Sequence, residues 1–210
     1  MSPPAVEKPK PGPAPSFNTA AQAAAAAKQA LASVVGMDRS TKRGFGSAAD
    51  VASATLADGL PVQFVRLDSL TAFTPGQDTK ALPFDKKEVM YPVSSGGVVR
   101  SSVTVQQGPD GKWQAVKMGS AVTAQSAQQI RLDATSKRSV DPGSFSLIEV
   151  PAVHAFMVSH TEKGVQMVTP LWNIPGTSYT AGVTQPAAQV FAALQPIAAK
   201  TDPGAPSRRK

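Results

Sequence analysis

Residues 98–118 read VVRSSVTVQQGPDGKWQAVKM, and their period decides the fold class. Val99, Ser101, Val103 and Val105 alternate with Val98, Arg100, Ser102 and Thr104, the two-residue period of a strand whose faces differ. Pro109-Asp110-Gly111 then supplies turn chemistry, because proline presets φ and glycine accepts the left-handed backbone. Trp113 to Met118 returns as the partner strand of a hairpin.

The same reading extends in both directions. Upstream, Pro61–Leu67 and Val89–Val93 read as strands, the latter with Pro92 at an edge or bulge. Downstream, Phe145–Val150, Ala152–Ser159 and Val165–Trp172 alternate, with a turn at Glu162-Lys163-Gly164. Helices are expected from Asn18 or Thr19 to about Val35, from Ser47 to Ala57, from Ser120 to about Leu132, and from Thr184 to Lys200. In the last, Val190, Phe191, Leu194 and Ile197 share one side, and Pro196 should kink or end the final turn. Hairpin connections imply an antiparallel sheet. The expected fold is therefore α+β: an antiparallel, hairpin-rich curved sheet with helices packed on one face, flanked by disordered or extended tails. Two similar β-rich halves would also fit, but no internal repeat is visible in the sequence.

Composition divides the chain further. Residues 1–17 form a Pro-rich arm or linker, residues 18–59 an N-terminal helical segment, residues 60–200 the α+β body, and residues 201–210 a basic tail. The arm favours extended polyproline II, since proline fixes φ and has no N–H to give a ladder. Of the formal net charge of +7, residues 1–17 hold +1 and residues 200–210 hold +3, which leaves +3 on the body. That body carries only isolated basic pairs, which argues against a nucleic-acid face. Weak attachment to anionic surfaces, or nucleic-acid binding through the tail, would rest on Arg208, Arg209 and Lys210.

The chain has no cysteine, so disulfides, thiolate metal sites and cysteine nucleophiles are excluded. No cofactor is implied, and no metal site. No apolar run is long enough to span a membrane, and the N-terminus does not read as a signal peptide. A periplasmic, cell-envelope or secreted place is favoured if a signal was removed, and otherwise a cytoplasmic or virion one.

Candidate chemistry is sparse. The only histidines are His154 and His160, which an extended strand would place on one face about 20 Å apart, too far to share a metal. His154 is the one acid–base candidate, with a half-buried strand histidine as the plainer expectation. No Gly-x-Ser-x-Gly elbow is present. Asp68, Glu88 and Glu149 read as surface or capping groups. Arg43-Gly44-Phe45-Gly46 begins like an RNA-recognition signature, but Ser47 and Asp50 stand where its aromatics belong. Lys42, Arg43, Gly44, Gly46 and Ser47 could instead cradle an anion before a helix. Trp113, Trp172 and Tyr179 lie beside loops, where aromatic rings can anchor a partner, and Pro11, Pro13 and Pro15 mark the arm as a second contact surface. The expected function is a non-enzymatic structural or protein-interaction subunit of a larger assembly of cell-envelope, secreted or virion type. Its partners would be other protein subunits or copies of itself. The alternative is a small-ligand-binding or hydrolase-like protein that uses the concave sheet face near His154.

Overall fold

The computed structural model describes residues 15–37, 45 and 47–200. Along the chain the elements are α1 (Ala20–Met37), α2 (Ala48–Ala52), β1 (Thr55–Leu56), β2 (Leu60–Phe64), α3 (Leu67–Thr71), β3 (Phe84–Ser95), β4 (Val98–Gln107), β5 (Trp113–Gly119), α4 (Ala121–Arg138), β6 (Ser146–Val150), β7 (Ala155–Glu162), β8 (Val165–Pro170), β9 (Gln185–Pro186) and α5 (Ala187–Ala198). Short 3-10 turns occupy Thr79–Ala81, Pro142–Ser144 and Pro151–Val153.

The strands form one open sheet of mixed α/β character in the order β5-β4-β3-β2-β6-β7-β8-β9, with β1 added on β3. Every pairing is antiparallel except β2 with β6, where Val62, Gln63 and Phe64 face Leu147, Ile148 and Glu149 in parallel register. Register shifts at Val62/Gln63, Val93/Ser94 and Thr104/Val105 mark irregularities that bend and twist the ladder. The second of these lies beside Pro92, whose carbonyl accepts from Ala57 N–H at 2.9 Å.

Two meanders therefore run outward from a central parallel pair. β2-β3-β4-β5 is followed by α4, and β6-β7-β8-β9 by α5. The two helices lie on opposite faces, where a helix layer on one face was expected. The reason is local to β6. Leu147 and Ile148 are consecutive, so they point to opposite sides of the sheet, and both are buried. Leu147 packs with Leu60, Val62, Met90 and Val158 against Ala127, Ile130 and Ala134 of α4. Ile148 packs with Val150, Met157 and Val168 against Val190, Phe191 and Leu194 of α5, alongside Leu70 of α3. On that second face, Ala23, Ala24, Ala27 and Leu31 of α1 and Val51 of α2 cover Val93, Val103 and Val105 at the β3–β4 end.

Helix ends follow the side chains available. Thr19 accepts from Gln22 N–H at the start of α1, and Ser47 accepts from Asp50 N–H at the start of α2. α4 runs six residues past the sequence expectation and ends at Ser139 in the left-handed region, φ 54°. Arg131 of α4 is buried and donates to both the carbonyl and the carboxylate of Asp58, at 3.1 and 2.9 Å, which ties the helix to the loop before β2. Pro196 is accommodated in the last turn of α5.

Burial on both faces of β6 has a direct test. Leu147→Ala and Ile148→Ala should each destabilise by about 2–5 kcal/mol in urea titrations. A near-neutral result at either one would mean that its face of the sheet is bare.

Candidate functional site

The root of the arm is built on the outer edge of the sheet. Phe17 and Trp113 exchange two backbone hydrogen bonds, 2.9 Å from Phe17 N–H and 2.8 Å from Trp113 N–H. Both rings pack against the cluster under α1. Lys112 adds a side-chain hydrogen bond to Asn18. By the two-residue period, Pro15 is the next residue to face β5, and it has no N–H to give. The pairing stops there. Further along β5, Val116 is the extra residue of the register shift and is 50% exposed, and the neighbouring Lys117 is exposed as well. An irregular register and an edge lysine both oppose the docking of another strand. Pro11 and Pro13 lie outside the described residues.

The other two aromatic candidates are held by the fold. Trp172 is half-buried against Phe156, with centroids 4.9 Å apart, and its Nε1–H donates to the His154 carbonyl at 3.2 Å. Tyr179 is half-buried against the α5 cluster. Trp113 alone of the three stands at a sheet edge. Of the suggested anion loop, Ser47 is described. Its hydroxyl caps α2, and the Asp50 carboxylate occupies the same first turn. Lys42, Arg43, Gly44 and Gly46 lie outside the described residues, as do Arg208, Arg209 and Lys210.

Only one of the two histidines lies on a strand. His154 is not on a strand. It is exposed and closes the Pro151–Val153 turn in the left-handed region, φ 52°. His160 is the strand histidine, 1% exposed in β7, with its ring 5.3 Å from that of Phe145. Neither of its ring nitrogens has a hydrogen-bond partner among the described residues, and Nε2 stands 3.6 Å from Glu162. Burial pushes its pKa down from 6.5, Arg138 adds to that, and Glu162 opposes it. His160 is thus a core imidazole whose charged form is disfavoured by burial.

Sequence reading missed a carboxylate pair. Glu88 on β3 and Glu149 on β6 converge on Lys86, whose Nζ lies 3.7 Å from Glu88 and 3.0 Å from Glu149. The ammonium also sits 5.3 Å from the Phe64 ring centre. Glu88 and Glu149, with Lys117, Thr104 and Phe156, line a cavity of about 120 Å³ beside the N-terminus of α4. The available signal was alternation: Glu88 lies two residues from Met90, and Glu149 two from Leu147, each sharing a face with a core residue. One lysine between two carboxylates is a neutralised polar cluster, more a brace between the two meanders than a reactive pair.

A larger cleft lies on the same face, between α4 and β8. It encloses about 450 Å³ and is lined chiefly by hydroxyl, amide and charged side chains. Among the described residues, no three acidic or histidine side chains are placed to hold a metal ion, and no helix is long and apolar enough to cross a membrane. Comparison with models of known protein families, with curated proteins and with solved structures finds no match.

The buried imidazole sets a pH dependence. The unfolded chain takes up a proton near 6.5, whereas the folded one resists to lower pH. Stability present at neutral pH is therefore lost as pH falls below about 6.5. Thermal melts should show this limb in the wild type, and His160→Leu should flatten it. An unchanged limb in the variant would assign it to other groups.

Proposed function

We propose that this chain is a non-enzymatic interaction subunit of a larger assembly, of cell-envelope, secreted or virion type, and that its proline-rich arm makes the partner contact. The observation that supports this reading is the Phe17–Trp113 pair, which pins the root of the arm to the rigid sheet edge and leaves residues 1–14 beyond it. A pinned root limits the volume the arm can search, which raises the effective concentration of whatever it carries. The edge devices at Pro15, Val116 and Lys117 disfavour strand addition at β5, so partner contact through the arm does not compete with sheet-to-sheet association.

A second reading, a small-ligand site, is favoured by the 450 Å³ cleft between α4 and β8, a volume usual for such sites. It places the ligand away from His154, the sequence candidate.

Deleting residues 1–14 keeps the Phe17–Trp113 pair. The thermal midpoint should stay unchanged, while protein partners that co-purify stoichiometrically with the full chain should be lost. Partners retained at full stoichiometry by the shortened chain would contradict a role for the arm.

A further inference from the structure

The α4–β8 cleft has walls of unlike chemistry. Gln125, Ser126, Gln129 and Asp133 come from α4, Arg138 from its last turn, and Thr169 and Thr184 from the β8 side. Ile130 and Leu171 form an apolar floor and are themselves almost fully buried. Ala181 and Gly182 close the far side with backbone, and Gly182 N–H is spent on the Pro170 carbonyl at 2.9 Å.

Three features narrow the occupant. First, both signs of charge are present and balanced. Asp133 pairs with Lys137 at 3.1 Å, and Arg138 with Glu162 at 3.7 Å, so the four groups sum to zero. A neutral site suits a neutral or zwitterionic guest better than a strongly charged one. Second, neither pairing exhausts the group that faces the cleft. The Arg138 contact is too long for a direct hydrogen bond, so most of its five N–H donors remain to be given. Lys137 and Gln129 both hold the Asp133 carboxylate, but the Lys137 side chain is 71% exposed and such surface pairs contribute little, so acceptor positions on Asp133 remain for a guest. Third, the Thr169 and Thr184 hydroxyls bond to each other at 2.8 Å, and one proton of that pair is left for a third partner although Thr169 is buried. No aromatic ring is among the lining residues, so the stacking platform that nucleobases use is lacking.

We propose that this cleft binds a small zwitterion, a free amino acid or short peptide, with Asp133 taking the ammonium and Arg138 the carboxylate. The Gln125 amide oxygen, whose nitrogen donates to the Val99 carbonyl at 2.7 Å, and the spare threonine proton complete its polar shell, and Ile130 and Leu171 accept its apolar part. The proposal rests on the small-ligand reading, and it adds the ligand class.

The test is calorimetric titration of the full chain with glycine, alanine, leucine and glycylglycine. Acetate, methylammonium and glucose serve as single-charge and uncharged probes. Zwitterions should bind, and the single-charge probes should bind at least about tenfold more weakly, since each lacks one charge-assisted contact. Asp133→Asn and Arg138→Gln should each weaken binding by about tenfold or more. Ser126→Leu fills the cleft without removing a charge and should abolish binding, so the proposal stays testable if a charge variant fails to fold. Zwitterion binding that survives both charge variants and Ser126→Leu would overturn the proposal. Binding of glucose or acetate alone, lost in Ser126→Leu, would overturn the ligand class and leave the small-ligand reading standing. Binding of none of the probes would overturn both.

Discussion

The structure depends on one parallel pair, β2 with β6, in which β6 is buried on both faces while β2 buries Leu60 and Val62 on one. A strand in the place of β6 needs cover on each side. Leu147 and Ile148 state that requirement in two consecutive residues, and α4 and α5 answer it from opposite sides. Glu149 continues the junction by accepting from Val65 N–H at 2.9 Å. Each meander would be left with an unpaired inner strand and a bare apolar face without the other. The chain from β2 to α5 is therefore one cooperative body, and α1 and α2 extend its core over the β3–β4 end.

The outer strands obey the opposite constraint, because a sheet of this width must end somewhere. At one end β9 is two residues long and includes Pro186. At the other, β5 carries an irregular register, an exposed lysine and, among the described residues, one outer pairing at Phe17, two residues from Pro15. The sheet is closed to addition at both ends by short length, proline and charge. Apart from these ends stand the arm root at Phe17–Trp113 and the clefts on the α4 face. The proposed functions occupy those two places.

The parts of the fold legible in the sequence were those fixed by local chemistry. β4 and the Pro109-Asp110-Gly111 turn carry a clean two-residue period and turn residues, and they fall where that period puts them. The α5 stripe was legible because Val190, Phe191 and Leu194 are large. α4 was read short because its buried residues are mostly alanine, whose small side chain leaves little stripe to see. The start of β3 was missed because Asp85, Lys86, Lys87 and Glu88 look like loop. His154 was placed on a strand because the Pro151 turn and a left-handed histidine do not show in an alternation pattern. The Glu88–Lys86–Glu149 cluster and the β2–β6 pairing are long-range, so no local pattern encodes them. Consecutive apolar residues at 147–148, and again at 157–158, were the visible hint that both faces are covered.

Amide hydrogen exchange on the intact chain tests the central claim most directly. If the parallel pair built on the doubly covered β6 holds the body together, amides of Val62–Phe64, Leu147–Val150 and the adjoining β7 should be the last to exchange, through global unfolding. β5 should exchange earlier, since among the described residues its outer edge is paired at Trp113 alone. Slowest exchange in the β4–β5 hairpin, with β2 and β6 opening first, would contradict the account.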